Sequence, residues 1–312
     1  MFDPETIKNK RIGFSVLNWG LGHVTRCVSL IYQLQKQSNS IFVFCDQEQR
    51  NIFEQYITDV TYVDHAGYPF QFKGKGNFKW DLFRSLFSLY LYSKTDRKFV
   101  KEIVQRYDLN FIISDQRYGF FSPHITSIFI THQLTFPLRG IYAVFNLVNR
   151  NQIAKFDSIW VMDNDEQLAG RLSLNKRIKN IVRIGHHSRF LVLKKQKTKS
   201  IKSVLIVNGP SSYSRYLLNQ FEKQLCSNDI EYVIGNPQVK KQLNQINTRA
   251  IFIPNTHMVK ADEVMASAKI ICGYFGYSTL MDCRVLKCSY DLIPTPGQLE
   301  QLYLAQLHKK SP

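Results

Sequence analysis

Residues 11–26 read R-I-G-F-S-V-L-N-W-G-L-G-H-V-T-R. The apolar run Ile12–Leu17 has strand chemistry, and the amphipathic stretch Val24–Gln37 has helical periodicity. Asn18, Trp19, Gly20, Leu21 and Gly22 join them in one short turn. Moving outward, the same alternation returns. Ile41–Cys45, Val60–Val63, Phe111–Ser114, Ser127–Thr131 and Ile159–Met162 read as strands, and Glu48–Tyr56 and Leu82–Tyr107 read as helices between them. Strand–helix–strand alternation predicts a parallel sheet covered by helices on both faces. Residues 194–202 then read K-K-Q-K-T-K-S-I-K, a solvated linker signature. Alternation restarts at Val204–Val207 and continues through Tyr232–Ile234, Ile251–Ile253, Ile270–Cys272 and Leu292–Ile293. The expected architecture is α/β: two Rossmann-like, doubly wound parallel-sheet domains facing across a cleft. They cover residues 1–193 and 204–312, with a linker at 194–203.

The 312 residues support two domains at about 150 residues each. Hydrophobic residues at 44% and charged residues at 21% are ordinary globular usage, which excludes disordered, collagenous and fibrous chains. Lys and Arg number 41 against 24 Asp and Glu, a formal net charge of +17. That excess favours an acidic partner: nucleic acid, an anionic membrane surface or a phosphorylated ligand. Cys27, Cys45, Cys226, Cys272, Cys283 and Cys288 form no C-x-x-C pair, so buried reduced thiols and a cytoplasmic location are expected. Met1–Arg11 has no apolar signal core. The apolar stretch Leu82–Tyr92 is shorter than the roughly 20 residues of a membrane span. The expected state is soluble, or peripheral on the inner face of the plasma membrane.

Ligands of such sheets bind at the carboxyl ends of the strands, and the polar motifs fall there. Gly20 and Gly22 open a helix, letting backbone approach a ligand. The third glycine of a dinucleotide fingerprint is missing, and only Asp46 closes the second strand, so nicotinamide binding is disfavoured. His23 stands where a neutral imidazole takes a proton from an alcohol, or where an ordinary helix-start histidine bonds to backbone. Arg26 reads as an acceptor-site cation or a surface charge. Asp115 orients a histidine, binds a sugar hydroxyl or caps its loop. Arg117, His132 and Gln133 are further strand-end candidates for an acceptor pocket. In the second half, Gly209 and Ser211 form a small-residue turn suited to phosphate, or to an ordinary helix cap. Gly276, Tyr277, Ser278, Thr279 and Asp282 follow a strand into a helix. Gln298, Glu300 and Gln301 follow Pro294-Thr295-Pro296-Gly297 and offer paired donors and acceptors for sugar hydroxyls. Asp163-Asn164-Asp165 has the spacing of a metal-binding pair but lies in the first half, and no metal is expected.

Gly20-Leu21-Gly22-His23, Gly276-Tyr277-Ser278-Thr279 with Asp282, and Pro294-x-Pro296-Gly297-Gln298-x-Glu300-Gln301 together resemble a GT-B nucleotide-sugar glycosyltransferase. The chain is similar to glycosyltransferase family 28, which includes the transferase that adds N-acetylglucosamine to a membrane lipid. Ser114–Gly119 and Thr131–Leu134 match a set of related bacterial proteins. The resemblance implies an acceptor site in residues 1–193 and a donor site in 204–312. It implies that Gly276, Ser278 and Thr279 meet the pyrophosphate, with Gly209 and Ser211 on the phosphate side. Tyr277 joins this donor loop, Asp282 takes the ribose, and Gln298, Glu300 and Gln301 take the sugar. His23 is then the general base with Asp115 as its acidic partner, and Gly20, Gly22, Arg26, Arg117, His132 and Gln133 belong to the acceptor side. Relatives carry an Arg just before the donor loop; here the run is Gly273-Tyr274-Phe275-Gly276.

The resulting expectation is a metal-independent hexosyltransferase with no cofactor. A nucleotide sugar, UDP-linked, is the co-substrate, and a lipid-linked or glycan hydroxyl is the acceptor. The alternatives are a nucleotide-sugar epimerase or hydrolase of the same fold, or a non-enzymatic polyanion binder. Nucleic acid is not an expected partner, because no helix-turn-helix, zinc-finger or RNA-binding signature is present.

Overall fold

The computed structural model describes residues 2–69, 78–138, 140–164, 167–193, 198–209 and 211–309, without the side chains of 78–87, 90, 141, 142 and 211. Its contacts divide the chain into two compact units, one of Met1–Phe70 and Leu82–Val192, the other of Gln71–Asp81 and Leu193–Pro312.

The first unit runs β1 (Arg11–Val16), α1 (Leu21–Gln35), β2 (Ser40–Cys45), α2 (Gln47–Phe53) and β3 (Thr61–Asp64). It continues through α3 (Phe78–Arg106), which belongs to this unit from Leu82 on, then β4 (Phe111–Asp115), β5 (Thr126–Thr131), α4 (Val144–Ile153), β6 (Ser158–Val161) and β7 (Ile181–Arg183). All seven strands pair in parallel in the order β3-β2-β1-β4-β5-β6-β7. A parallel sheet needs crossovers that cover both faces, and its central strands are accordingly apolar throughout. Every residue of β4 is buried, as are five of the six in β1. α1 lays Val24, Cys27, Val28, Ile31 and Leu34 against the sheet at helical spacing. α3 covers the other face, where Val100 and Ile103 pack with Phe42, Phe44, Ile112 and Phe120.

Asp46 begins α2 as a helix cap. Its carboxylate accepts from Gln49 N–H at 2.9 Å while the Gln49 side chain accepts from Asp46 N–H, a capping box and not a ribose site. β7 escapes a reading by alternation because it has three residues, all half-buried.

The second unit runs β8 (Ile201–Val207), α5 (Ser211–Gln220), α6 (Glu222–Cys226), β9 (Tyr232–Gly235), α7 (Pro237–Leu243) and β10 (Ile251–Pro254). It ends with α8 (Met258–Ser267), β11 (Ala268–Tyr274), α9 (Tyr277–Leu286), β12 (Ser289–Ile293) and α10 (Leu299–Leu307). Its five parallel strands take the order β10-β9-β8-β11-β12 around a core that includes Leu205, Val207, Leu217, Phe221 and Val233. β8 starts at Ile201, paired with Ala268, so residues 201–203 of the expected linker are strand; residues 194–197 lie outside the described chain.

In both sheets the strand order reverses beside the first strand, between β1 and β4 and between β8 and β11. Chains leaving two neighbouring strands in opposite directions open a crevice at their carboxyl ends. Glycine sets one close approach near the first crevice. A Cβ on Gly119 would lie 2.7 Å from Ser93 O and 2.8 Å from its Cα, so the α3 backbone rests directly on this loop. Gly119→Ala is expected to lower stability by about 1–3 kcal/mol through overpacking, read as a reduced urea midpoint.

Candidate functional site

The first crevice is built on β1 and β4. Leu17 N–H donates to Asp115 O at 3.0 Å, extending the pairing of these strands by one residue. The chain then turns through Asn18, whose Oδ1 accepts from Tyr68 N–H at 3.0 Å, and enters α1 through Gly20 at φ +86°. That positive φ suits glycine. The turn places His23 in the first turn of α1, with Arg26 and Cys27 three and four residues on.

All three reach Asp115, which is fully buried. His23 Nδ1 lies 2.9 Å from Asp115 Oδ2, Arg26 Nε donates to the same oxygen at 3.2 Å, and Arg26 Nη2 donates to Oδ1. Cys27 Sγ donates to Oδ2 at 3.6 Å. Arg26 Nη2 is also 2.9 Å from His23 Nδ1, but one ring nitrogen cannot both donate to Asp115 and accept from Arg26. Nη2 already serves Oδ1, and a bond from Nδ1–H to a carboxylate is charge-assisted. The hydrogen-bond pattern therefore puts the proton on Nδ1 and a lone pair on Nε2.

Burial raises the carboxyl of Asp115, but the Arg26 charge foremost, then His23, outweigh it and hold the pKa at about 2. Burial and the neighbouring Arg26 charge push the His23 imidazole below its usual value, against the pull of Asp115. Near neutral pH His23 is an uncharged base beside a fixed anion. Its side chain keeps 15% of its surface exposed, enough for a reacting group to reach it.

His132, just past β5, is 5% exposed and accepts from Arg26 Nη1 through Nδ1 at 3.0 Å. Arg26 thus connects His132 to the carboxylate that holds His23; it is buried at 2% exposure and is no surface charge. Gln133 N–H donates to Thr131 Oγ1 at 2.8 Å and its side chain is half-buried. Arg117 is fully buried beneath the crevice. Its Nη2 donates to Asp96 at 3.0 and 3.3 Å and to Ala66 O at 3.0 Å. His65 Nε2 lies 3.0 Å from Asp96 Oδ1 and its ring stacks on Phe99 at 4.4 Å. Arg117 therefore supports the floor through α3 and makes no surface of its own. The sequence reading missed this pair of partners. His65 obeys the strand-end rule, directly after β3, and was findable; Asp96 in mid-helix carries no local signal.

Asp163 also has a local occupation. It accepts from Asn164, Leu168 and Ala169 N–H at 3.0, 2.8 and 3.1 Å, and lies 3.4 Å from His186 Nε2. Asp165 is outside the described residues. Among the described residues, no group of three or more His, Cys, Asp or Glu is placed to hold a metal ion.

Three histidines with lowered pKa values give the folded state a pH signature. Burial foremost lowers the pKa of His23 and His65, and takes His187 down to about 4. In the unfolded chain a histidine protonates near pH 6.5. The unfolded state then binds more protons below that pH, so stability falls as pH drops from about 6.5 toward 4. Thermal melts at pH 7 and pH 5 should show the lower midpoint at pH 5.

The second crevice belongs to the other unit. Gly209 follows β8 at φ +100°, where a Cβ would meet nothing within 4 Å, and Ser211 starts α5. Gly276 is the N-cap of the ten-residue helix α9, whose N-terminal N–H groups carry the positive end of its dipole. Ser278 and Thr279 are half-buried in its first turn, whereas Tyr277 at 3% and Asp282 at 7% exposure are buried. The turn after β12 is pinned to the same edge. Tyr213 OH donates to Pro296 O at 3.2 Å, and Tyr274 OH to Tyr213 O at 2.6 Å. Gln301 Oε1 accepts from Thr295 N–H at 2.8 Å, so this amide shapes the turn; Gln298 and Glu300 are half-buried at the start of α10. The donor-side candidates thus gather at the carboxyl edge of one sheet.

Two Rossmann-like units with reversed strand orders, of seven and five parallel strands, make this a GT-B fold. Among solved structures, Arabidopsis thaliana UGT89C1 superposes with a TM-score of 0.64 at 10% identity, over 96% of this chain and 82% of its own. The glycosyltransferase SnogD from Streptomyces nogalater gives 0.63 at 10%, over 95% and 84%. MurG from Acinetobacter baumannii gives 0.50 at 13%, over 96% and 82%. At these identities the similarity is one of fold. No protein-family model and no curated protein matches the chain.

Proposed function

We propose that the protein transfers a hexosyl group from a nucleotide-diphosphate sugar to a hydroxyl acceptor, without a metal ion. The observation that carries this reading is the 2.9 Å contact of His23 Nδ1 with Asp115 Oδ2 at the first crevice, which assigns the lone pair to Nε2. In the reaction the acceptor hydroxyl gives its proton to Nε2 while its oxygen bonds to the anomeric carbon. The bond from that carbon to the diphosphate breaks, and the electron pair leaves with the nucleotide. Asp115 stabilises the imidazolium so formed. The N-terminus of α9 receives the growing negative charge of the leaving diphosphate, with Gly276, Ser278 and Thr279 nearest.

The fold neighbours support a donor of this class, since one of them, UGT89C1, was also solved with UDP-L-rhamnose. UDP is the favoured nucleotide here, and a lipid-linked or glycan hydroxyl the favoured acceptor, met in the cytoplasm or at its membrane face. No helix among the described residues is long and apolar enough to cross a membrane. Thermal-shift screening of the purified protein against a panel of nucleotide sugars tests the reading. Stabilisation by a UDP-sugar supports it, and silence toward every nucleotide overturns it. Rapid turnover of that sugar with no acceptor present points instead to a hydrolase or epimerase.

A further inference from the structure

α4 is built inside out. Its amides face the protein: Asn146 Oδ1 accepts from Phe136 N–H at 2.6 Å, and Asn149 Oδ1 accepts from Tyr118 OH at 2.8 Å. Of its apolar residues, Ile153 packs in the core at the end of the helix, but three near its start face away. Val144, Leu147 and Val148, at positions i, i+3 and i+4, are 54%, 46% and 50% exposed. A surface helix normally shows the reverse pattern. Beside this row lies a cavity of about 550 Å³ whose lining includes Arg150, Lys176 and Arg177 and no carboxylate. The local chain explains that imbalance. Residues 116–156 and 167–221 contain no Asp or Glu, so the +17 charge is concentrated rather than scattered.

We propose that this face docks on an anionic lipid bilayer, the Val144–Leu147–Val148 row entering the headgroup boundary and the three cations meeting lipid phosphates. Apolar side chains beside cations are the combination that interfacial binding needs, area for the acyl boundary and charge for the headgroups. A second copy fits worse, because a two-fold interface would set the same three cations against themselves. The row is three side chains wide, so the attachment is reversible. The surface does not rest on the transfer chemistry, and its test needs neither donor nor acceptor.

The test is flotation of the full chain with vesicles of phosphatidylcholine alone or with added phosphatidylglycerol. Binding is expected only with phosphatidylglycerol, and is expected to weaken at high salt. Arg150→Glu with Lys176→Glu and Arg177→Glu should lower partitioning by at least roughly 100-fold, at about fivefold or more per cation near an anionic leaflet. Leu147→Ser with Val148→Ser should also reduce it, at unchanged charge. Lys223→Glu with Lys240→Glu and Lys241→Glu, exposed on the other unit, makes the same charge change and should weaken binding far less. Equal losses in the two charge-reversed triples, or binding indifferent to phosphatidylglycerol, overturn the proposal. Hydrogen exchange on the unaltered protein gives a readout that no variant can spoil. α4 should gain protection on vesicles, and unchanged exchange there also overturns the proposal.

Discussion

His23→Ala lowers turnover by about 10²–10⁴-fold, the span of a lost general base, while nucleotide-sugar affinity stays as it was. The asymmetry follows from where the side chain stands. His23 belongs to the β1/β4 crevice of the first unit, and the residues proposed to hold the nucleotide belong to the β8/β11 crevice of the second. Removing the imidazole ring therefore subtracts a proton acceptor without touching the diphosphate cradle. The pH profile carries the same information. Burial and Arg26 lower the His23 pKa, so the acid limb of kcat/KM should fall below pH 6.5 in the unaltered protein and vanish in the variant. Turnover unchanged by the substitution, with an identified donor and acceptor, rejects the base assignment.

Arg26→Leu costs about 3–5 kcal/mol of stability, because it strands the buried carboxylate of Asp115. The unaltered pair titrates low, with Asp115 at about 2, since Arg26 outweighs burial. Without the guanidinium, burial dominates and the folded-state pKa of Asp115 rises above its unfolded value. The unfolded state then binds fewer protons than the folded one. The penalty is therefore full above that raised pKa and shrinks as pH falls through it. Urea unfolding across pH should show the variant closing on the parent in acid. Arg26→Leu with Asp115→Leu should be less damaged than Arg26→Leu alone, since two apolar residues leave no stranded charge. Additive costs would mean that the two side chains do not act as a pair.

Much of this was legible before the structure. The eleven expected strands exist, because each is a short run rich in apolar residues bounded by turn residues; the central ones are buried, while the edge strands β3, β10 and β12 are mostly half-buried or exposed. The pairing of His23 with Asp115 was legible as two strand ends with complementary chemistry, 92 positions apart. What the sequence hid were side chains whose role depends on burial. Arg26 looks like any charged residue on an amphipathic helix, yet it lies on the inner face and bonds to Asp115 and His132. Arg117 looked like an acceptor contact, and its strand-end position is real, but its head turns under the loop to Asp96 on α3. Gln301 has the chemistry for sugar hydroxyls, yet its carbonyl is committed to Thr295. Strand-end rules locate a crevice, but they do not say which polar groups face into it.

Among the described residues, the side chains bonded to Asp115 come from one helix, at the third, sixth and seventh residues of α1. They are not equivalent to a drifting lineage. His23 sits at the edge and can be exchanged with little structural penalty, whereas Arg26 and Asp115 can leave only together. A descendant that abandoned the chemistry would thus keep the ion pair and lose the imidazole. Its sequence would preserve a fossil of the site, with an acid and a guanidinium still in register around a vanished base.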